Sequence, residues 1–214
     1  MPVSLPQVLS TDDDEPAIAQ LHRYYGPAFG SSNAYTGSAF DAWDSTGTRE
    51  NDVNRFTADD VVAVIFLSVE VTPKAAHALL QAQADRFSGL LEDVGPDRDL
   101  VDDDAVLDDN WAGWTLDREL RNLPGVGHTT ASKLFARKRP RLRPIYDSEV
   151  AATLGTAKQH WRPIHEALRA DGRALHQRLA GLRASAGLPE AVSALRVLDV
   201  LAWLEGKDRA RATV

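Results

Sequence analysis

Residues 123–150, LPGVGHTTASKLFARKRPRLRPIYDSEV, place a Gly-x-Gly turn, an apolar helical pattern, a dense basic run and a lone Asp within one short stretch. Each of the four has a chemistry. Gly125 and Gly127 can take backbone dihedrals closed to residues with a Cβ, and they leave no side chain between the amides around Val126 and an approaching anion. A helix starting at His128, Thr129 and Thr130 would aim its free N–H groups and positive dipole end at that anion. From Arg121 to Arg143 there are seven basic residues and no acidic one, and Lys133, Arg137, Lys138, Arg139 and Arg141 all follow the turn. Taken alone, such a run is either a solvated face or a polyanion footprint. Beside the glycine turn it points to phosphate contacts, which position a nucleic acid without reading its sequence.

The elements that must hold these residues are helical nearly throughout. Residues 111–121 and the segment after Gly127 read as two helices joined by Leu-Pro-Gly-Val-Gly, a helix-hairpin-helix at about 112–138. In the second helix Ala131, Leu134 and Phe135 share one face, while Lys133 and Arg137 lie one turn apart on another. Pro140 and Pro144 end it, and Asp147 stands where an N-cap belongs, ahead of residues 150–154. Upstream, residues 15–25 form a short helix and residues 24–54 a loop rich in Gly and aromatics. Thr57 with Asp60, and Thr72 with Pro73, are the start signals of two further helices. Three more follow near residues 160–170, 173–184 and 189–204; the last carries an apolar stripe at Ala194, Val197, Leu198, Leu201 and Leu204 that reads as core. No strand pair is evident, so the fold class is all-α, with residues 1–214 forming one module of two helical lobes around a cleft.

Composition sets outer bounds. No Cys means no disulfide, no thiolate zinc site and no iron–sulfur cluster. The net charge of −7 excludes a protein coated in basic surface, so any polyanion must meet a local patch. The acids concentrate at residues 92–109, nine of them against Arg98 alone; they lack the alternating ligands and Gly bend of a calcium loop and read as a solvated linker rather than a metal site. The longest apolar stretch, residues 61–71, is too short for a bilayer and contains Glu70, so a cytoplasmic, monomeric protein without membrane contact is expected.

The hairpin segment resembles that of the endonuclease III superfamily of DNA glycosylases, in which Leu-Pro-Gly-Val-Gly is followed by Thr-Ala, a helix, and Pro-Val-Asp with a catalytic Asp heading the next helix. Here Thr130-Ala131 and Pro144-Ile145-Tyr146-Asp147 fall in that order, with one extra residue between Pro and Asp. The nucleophilic Lys of the bifunctional members would fall at Thr129, so the resemblance implies a monofunctional reaction. Phe66-Leu67-Ser68-Val69-Glu70-Val71-Thr72 resembles the family's Leu-Leu-Ser-Ala-Gln-Ala-Thr segment, with Glu70 where the gap-filling Gln stands. Over most of its length the chain also resembles a family of bacterial proteins with no assigned activity, recognisable by TADDVVAV, LSV and ARKRPRLRPIYDSEV.

The first resemblance implies a repair hydrolase acting on double-stranded DNA. Asp147 would stabilise an oxocarbenium-like sugar and orient water. Tyr24, Tyr25, Tyr35 and Trp43 could stack on an extruded base. A monovalent cation, K⁺ or Na⁺, could sit on the hairpin carbonyls, and no other cofactor is expected. Trp111 and Trp114, three apart on one helix, read as core. The rivals are a non-catalytic DNA-binding module of the same fold, in which Asp147 is only a cap, and a protein whose basic stretch meets an acidic partner.

Overall fold

A computed structural model of the chain describes residues 3–26 and 35–212, and every regular element among them is helical. Part of the expected 24–54 loop, residues 27–34, lies outside the described residues. The helices are α1 (Glu15–Tyr25), α2 (Ala39–Ala42), α3 (Ala58–Ile65), α4 (Pro73–His77), α5 (Ala84–Val94), α6 (Ala112–Arg121), α7 (His128–Lys138), α8 (Ser148–Leu154), α9 (Trp161–Ser185) and α10 (Ala194–Ala212). A π-turn over Ala78–Ala82 joins α4 to α5. None of these helices is long and apolar enough to cross a membrane.

Start signals legible in the sequence are the ones the structure uses. The Asp60 carboxylate accepts the Thr57 N–H at 2.9 Å, closing the first turn of α3. Thr72 Oγ1 accepts the Ala75 N–H at 3.3 Å, with Pro73 at the first position of α4. Asp147 Oδ1 accepts the Glu149 N–H at 3.0 Å and heads α8. The long α9 is two helices merged across a kink, in which Asp171, Gly172 and Arg173 all take positive φ.

Packing centres on two helices. α7 lies against α3 and α6, and α6 against α5; α10 lies against α1, α8 and α9. Phe135 of α7 meets Trp161 edge-on, with ring centroids 5.4 Å apart, and Trp161 in turn meets Trp111 and Trp114 at 4.9 and 4.7 Å, so the two Trp of the α6 region are core as expected.

The basic run does not form the outward face that its composition suggests. Lys133, Arg137, Lys138, Arg139 and Arg143 are buried. Asp60, 1 % exposed, receives both Arg137 Nε at 3.1 Å and Lys138 Nζ at 2.5 Å. Arg137 also donates to the carbonyls of Phe40 (2.7 Å) and Trp43. Arg139 has no carboxylate in hydrogen-bond reach and spends its guanidinium on the carbonyls of Gly95, Val53, Lys138 and Leu91 and on Asn54 Oδ1. Arg143 pairs with Asp117 at 2.8 Å and stacks over Trp161, 4.2 Å from its centroid. Phosphate contact by Arg137, Lys138 and Arg139 is therefore corrected: all three side chains are buried and turned onto the protein's own carbonyls and carboxylates instead of facing outward.

The acidic segment is likewise not a solvated linker. Leu100, Val101 and Val106 are buried, and acids of the segment meet arginines: Asp103 with Arg98 (2.6 Å), Asp102 with Arg173 (2.5 Å), Asp99 with Arg141, and Asp109 with Arg162. Arg141, another expected phosphate contact, is thus engaged at the surface.

Removing Asp60 would leave two buried cations facing each other without a counterion. Asp60→Ala is expected to lose about 3–5 kcal/mol of stability by urea denaturation, well beyond a capping loss of about 1 kcal/mol. A loss of capping size would mean that Arg137 and Lys138 find other partners.

Candidate functional site

The turn between α6 and α7 is built from two apolar anchors and two unlike glycines. Leu123 and Val126 are buried, and the Val126 N–H closes the turn on the Leu123 carbonyl at 3.0 Å. Gly125 takes φ +76°, and a Cβ there would come within 2.5 Å of Thr72 Cγ2, so this position requires glycine. Thr72 Oγ1 also donates to the Pro124 carbonyl at 2.6 Å, fixing the turn to the start of α4. Gly127, expected to need glycine for its dihedrals, sits instead at φ −89°, ψ −177°, ordinary extended backbone. What its missing side chain leaves is space: nothing lies within 4 Å of a Cβ placed there. Gly127 caps α7 without a side-chain acceptor, so the first N–H groups of α7 have no capping partner. His128 and Thr129 are half-buried there, and Thr130 is buried.

One turn into α7 the chain reaches a cleft of about 320 Å³. Its walls are Thr129 and Lys133 from α7, residues 66–69 after α3, residues 147–149 at the start of α8, and a face of α10 carrying Arg196, Asp199, Trp203 and Lys207. Tyr24, Tyr35 and Gly37 complete it. Lys133 Nζ donates to the Leu67 carbonyl at 2.8 Å and lies 3.3 Å from Asp147 Oδ2, with side-chain exposures of 4 % and 22 % respectively. Burial pulls the Lys133 ammonium below the usual lysine range, against the opposing attraction of Asp147. Asp199 receives Arg196 Nη1, and burial, which outweighs Arg196, raises its pKa to about 6, with the charge of Asp147 adding to the rise. Arg196 also binds Asp41 (3.1 Å), the Tyr24 hydroxyl (2.8 Å) and the Gly37 carbonyl (3.0 Å). The aromatic wall is ordered: Tyr24 and Tyr35 stack at 5.5 Å, and Trp203 meets Tyr35 edge-on at 5.4 Å.

Asp147 is held by its neighbours as well as by its helix. The Ser132 hydroxyl accepts the Tyr146 N–H at 2.9 Å and donates to the Thr129 carbonyl at 2.9 Å, joining α7 to the residue before Asp147. The buried His160 donates from Nε2 to the Ile145 carbonyl (2.9 Å), and its Nδ1 lies 2.7 Å from the Thr156 hydroxyl, which can donate to it when the ring is neutral. Burial lowers its pKa to about 3. Tyr146 lies edge-on to His160 at 5.4 Å and stacks on His128 at 4.0 Å.

Of the residues singled out in sequence, the structure gathers Asp147, Thr129, Lys133, Tyr24 and Tyr35 at one cleft. Tyr25 and Trp43 are elsewhere, hydrogen-bonded to Asp41 (3.0 Å) and Asp59 (3.0 Å). Glu70 is exposed just past the wall, while Ser68, within it, holds φ +59°. Four α10 residues of the cleft, Arg196, Asp199, Trp203 and Lys207, carry one signal in the sequence, a 3–4 spacing that forms a helical stripe of its own. Among the described residues no group of His or acidic side chains could hold a metal ion.

The family-of-unknown-function model DUF6308 matches residues 17–206. The chain belongs to that family. No curated protein and no solved structure matches it. Membership spans α1 to most of α10, so the hairpin, the cleft and the buried cations all lie within the matched region.

Two outcomes check this geometry. Gly125→Ala should cost more than about 1 kcal/mol through left-handed strain and the Thr72 contact, whereas Gly127→Ala should be close to neutral; equal effects would mean that the turn is built otherwise. For His160, a folded pKa below the unfolded value means that stability is lost as pH falls from about 6.5 toward 3, by up to ~1.4 kcal/mol per pH unit. Asp199 and Asp97, whose pKa values burial raises to about 6, work in the opposite direction, so the comparison must be with His160→Asn. The stability advantage of the native chain over that variant should shrink between pH 7 and pH 5, and a constant gap would show that the ring is not held neutral.

Proposed function

We propose that this protein binds double-stranded DNA through the α6–α7 hairpin and releases a damaged or modified base by cleaving its N-glycosidic bond, with Asp147 as the charge that stabilises the sugar. The observation that carries the proposal is that one helix serves both ends of the task. The uncapped, unobstructed start of α7 at Gly127 is suited to a phosphate, and one turn later the same helix forms the cleft wall facing Asp147. In this reading the helices around α7 and those around α10 are two lobes, with the base entering between them.

The cleft chemistry fits a sugar with a base attached. Asp147, ion-paired to Lys133 and carrying a backbone hydrogen bond, presents a carboxylate at 22 % exposure to an oxocarbenium-like centre. Tyr24, Tyr35 and Trp203 supply an aromatic wall for a planar ring. With Arg137, Lys138 and Arg139 internal, the outward cations beside the hairpin are Arg121, on the last turn of α6 with half its side chain exposed, and Lys74, two residues beyond the Thr72 that touches Pro124. These take over the phosphate-neutralising role.

The second reading is a non-catalytic DNA-binding module. It is favoured by the Glu149 N–H on Asp147 Oδ1, since an N-cap alone accounts for an Asp at this position.

Binding and chemistry are separable by experiment. Gly127→Val, which meets open space, and the pair Lys74→Ala with Arg121→Ala should each fold normally and weaken duplex binding. The pair should also flatten its salt dependence by about two phosphate contacts. Unchanged affinity in both would remove the hairpin from the interface. Asp147→Asn keeps the cap and drops the charge, so melting temperature should hold while base release from a panel of damaged and modified oligonucleotides falls by about 100-fold or more. Activity indifferent to this change would strip Asp147 of its role; no release of any base by the native chain would leave the binding module.

A further inference from the structure

Around the cleft three carboxylates, Asp41, Asp147 and Asp199, share two buried cations, Lys133 and Arg196. Asp147 takes Lys133 at 3.3 Å. Asp41 takes the Arg196 Nε on both oxygens (3.2 and 3.1 Å) and the Tyr25 hydroxyl at 3.0 Å. Asp199 receives Nη1 of the same guanidinium, whose Nη2 goes to the Tyr24 hydroxyl and the Gly37 carbonyl. Glu149 and Lys207, the other charged groups of the lining, are half-buried and add one charge of each sign. One buried carboxylate therefore lacks a cation of its own, and such a group takes up a proton most readily. Asp199 is that group: its side chain is 9 % exposed, and burial, opposed by Arg196 and Lys133 and assisted by Asp147, brings its pKa to about 6. Of the two carboxylates on Arg196, only Asp199 lines the cleft. It lies one turn before Trp203 on α10 and shares the Arg196 anchor with Tyr24, so its carboxyl is fixed beside the aromatic wall.

We propose that Asp199, in its protonated form, is the acid that delivers a proton to the departing base, an inference that rests on base release being the task of this cleft. A base leaving C1′ carries off the bonding pair, and a neutral base holds that pair poorly unless it is protonated as it goes. The C1′–N bond breaks with its electron pair moving into the base. The Asp199 O–H bond breaks in the same step, its proton going to a ring nitrogen or exocyclic oxygen of the base and its electron pair staying on a carboxylate beside Arg196. Water then forms the C1′–O bond and gives a proton to Asp147, which leaves an abasic sugar with a C1′ hydroxyl. Solvent returns that proton from Asp147 to Asp199, so water is the only co-reactant consumed. The division of labour follows the surroundings. A carboxylate with a cation to itself suits a sugar that is becoming positive, and a desolvated carboxyl that shares its cation suits proton donation. The same geometry also admits Asp199 as a mere buttress for Arg196, and the two roles separate because a buttress has no dependence on the leaving group.

The test follows base release by the full chain from about pH 5 to about pH 8 on two kinds of duplex, one carrying neutral damaged bases and one carrying N7-methylguanine. The methylated ring is already positive and leaves without a proton, so its release, above spontaneous loss, is the internal control. Release of neutral bases should fall about tenfold per pH unit above about 6, while that of N7-methylguanine stays level. Asp147 acts on both substrates, so its own titration moves the two together. Asp199→Asn keeps an acceptor for Arg196 and has no acidic proton. It should slow release of neutral bases about 100-fold, remove the alkaline fall, and change N7-methylguanine less than about threefold. Should this variant not fold, the contrast between the two substrates in the native chain still decides. A pH dependence common to both, equal slowing of both by Asp199→Asn, or release confined to the cationic base overturns the acid and leaves the proposed function in place. No release of any base overturns both.

Discussion

The structure depends on cations that have been taken out of water. Four basic side chains from the end of α7 and the segment after it, Arg137, Lys138, Arg139 and Arg143, are buried. Desolvating even one guanidinium costs several kcal/mol unless each donor finds an acceptor in good geometry. Acceptors near in sequence are too few, so they come from far away: Phe40, Trp43 and Val53 carbonyls, Asp60, Leu91, Gly95 and Asp117. Each such bond fixes a distant segment against α7. Arg139 shows the principle most plainly, because without a carboxylate in reach it must be met almost entirely by backbone oxygens, and those oxygens are available only when α5, the loop before α3 and α7 all hold their positions. These bonds offset a desolvation cost that an apolar core of the same shape would avoid altogether, so what they fix is the position of each distant acceptor against α7.

That anchoring divides α7 into two ends with different duties. Its carboxyl-terminal half is bolted into the protein, while its first turn has no side-chain cap and open space lies beside Gly127. Eleven residues of helix span only about 16 Å, so whatever docks at Gly127 lies within one rigid rod of the cleft lined by Thr129 and Lys133. The opposite wall is equally constrained: Ser132 ties Tyr146 to α7, and neutral His160 holds the Ile145 carbonyl. Asp147 and Lys133 therefore keep their 3.3 Å separation through backbone that is fixed on both sides of the cleft, and the proposed role of Asp147 relies on that preorganisation.

How much of this was legible follows from the range of each interaction. Caps and turns are local, so Thr57, Thr72, Asp147 and the left-handed Gly125 could be read from neighbours within three or four residues, and the helices followed. The fate of the basic run could not be read this way. Whether Arg137 faces water or Asp60 is decided by a carboxylate 77 positions away, and composition alone gives a solvated face and a buried cluster the same signature. The acidic stretch misled for the same reason, its arginine partners lying mostly on α9 and beyond Pro140. Lys133 is partly legible: its i, i+4 spacing from Thr129 puts it on the same face of α7, but only the tertiary fold shows that its side chain reaches the cleft from one turn deeper. On α10 the apolar stripe is core, as its spacing implies, while the cleft-lining stripe at 196, 199, 203 and 207 is interleaved with it and does not stand out from it.

The charge balance of the cleft bears on what can enter it. Asp147, Glu149 and Asp199 face Lys133, Arg196 and Lys207, so the lining is close to neutral despite being strongly polar. A phosphate placed inside would gain the three cations but meet the three carboxylates, and Arg196 is already committed to Asp41 and Asp199. The uncapped start of α7, with Arg121 and Lys74 outside, offers an anion a better seat than the cleft does. A ligand that carries its phosphates on the rim and a neutral sugar and ring inward matches both regions at once. A free anion matches only the first, and an apolar molecule neither, because burying the Lys133–Asp147 pair beneath it would strip away solvent without supplying a partner for the remaining N–H of Lys133. The ligand of the proposed function, a polar, uncharged group tethered to phosphate, thus matches the charge pattern of both regions, and both belong to the helix whose far end holds the protein together.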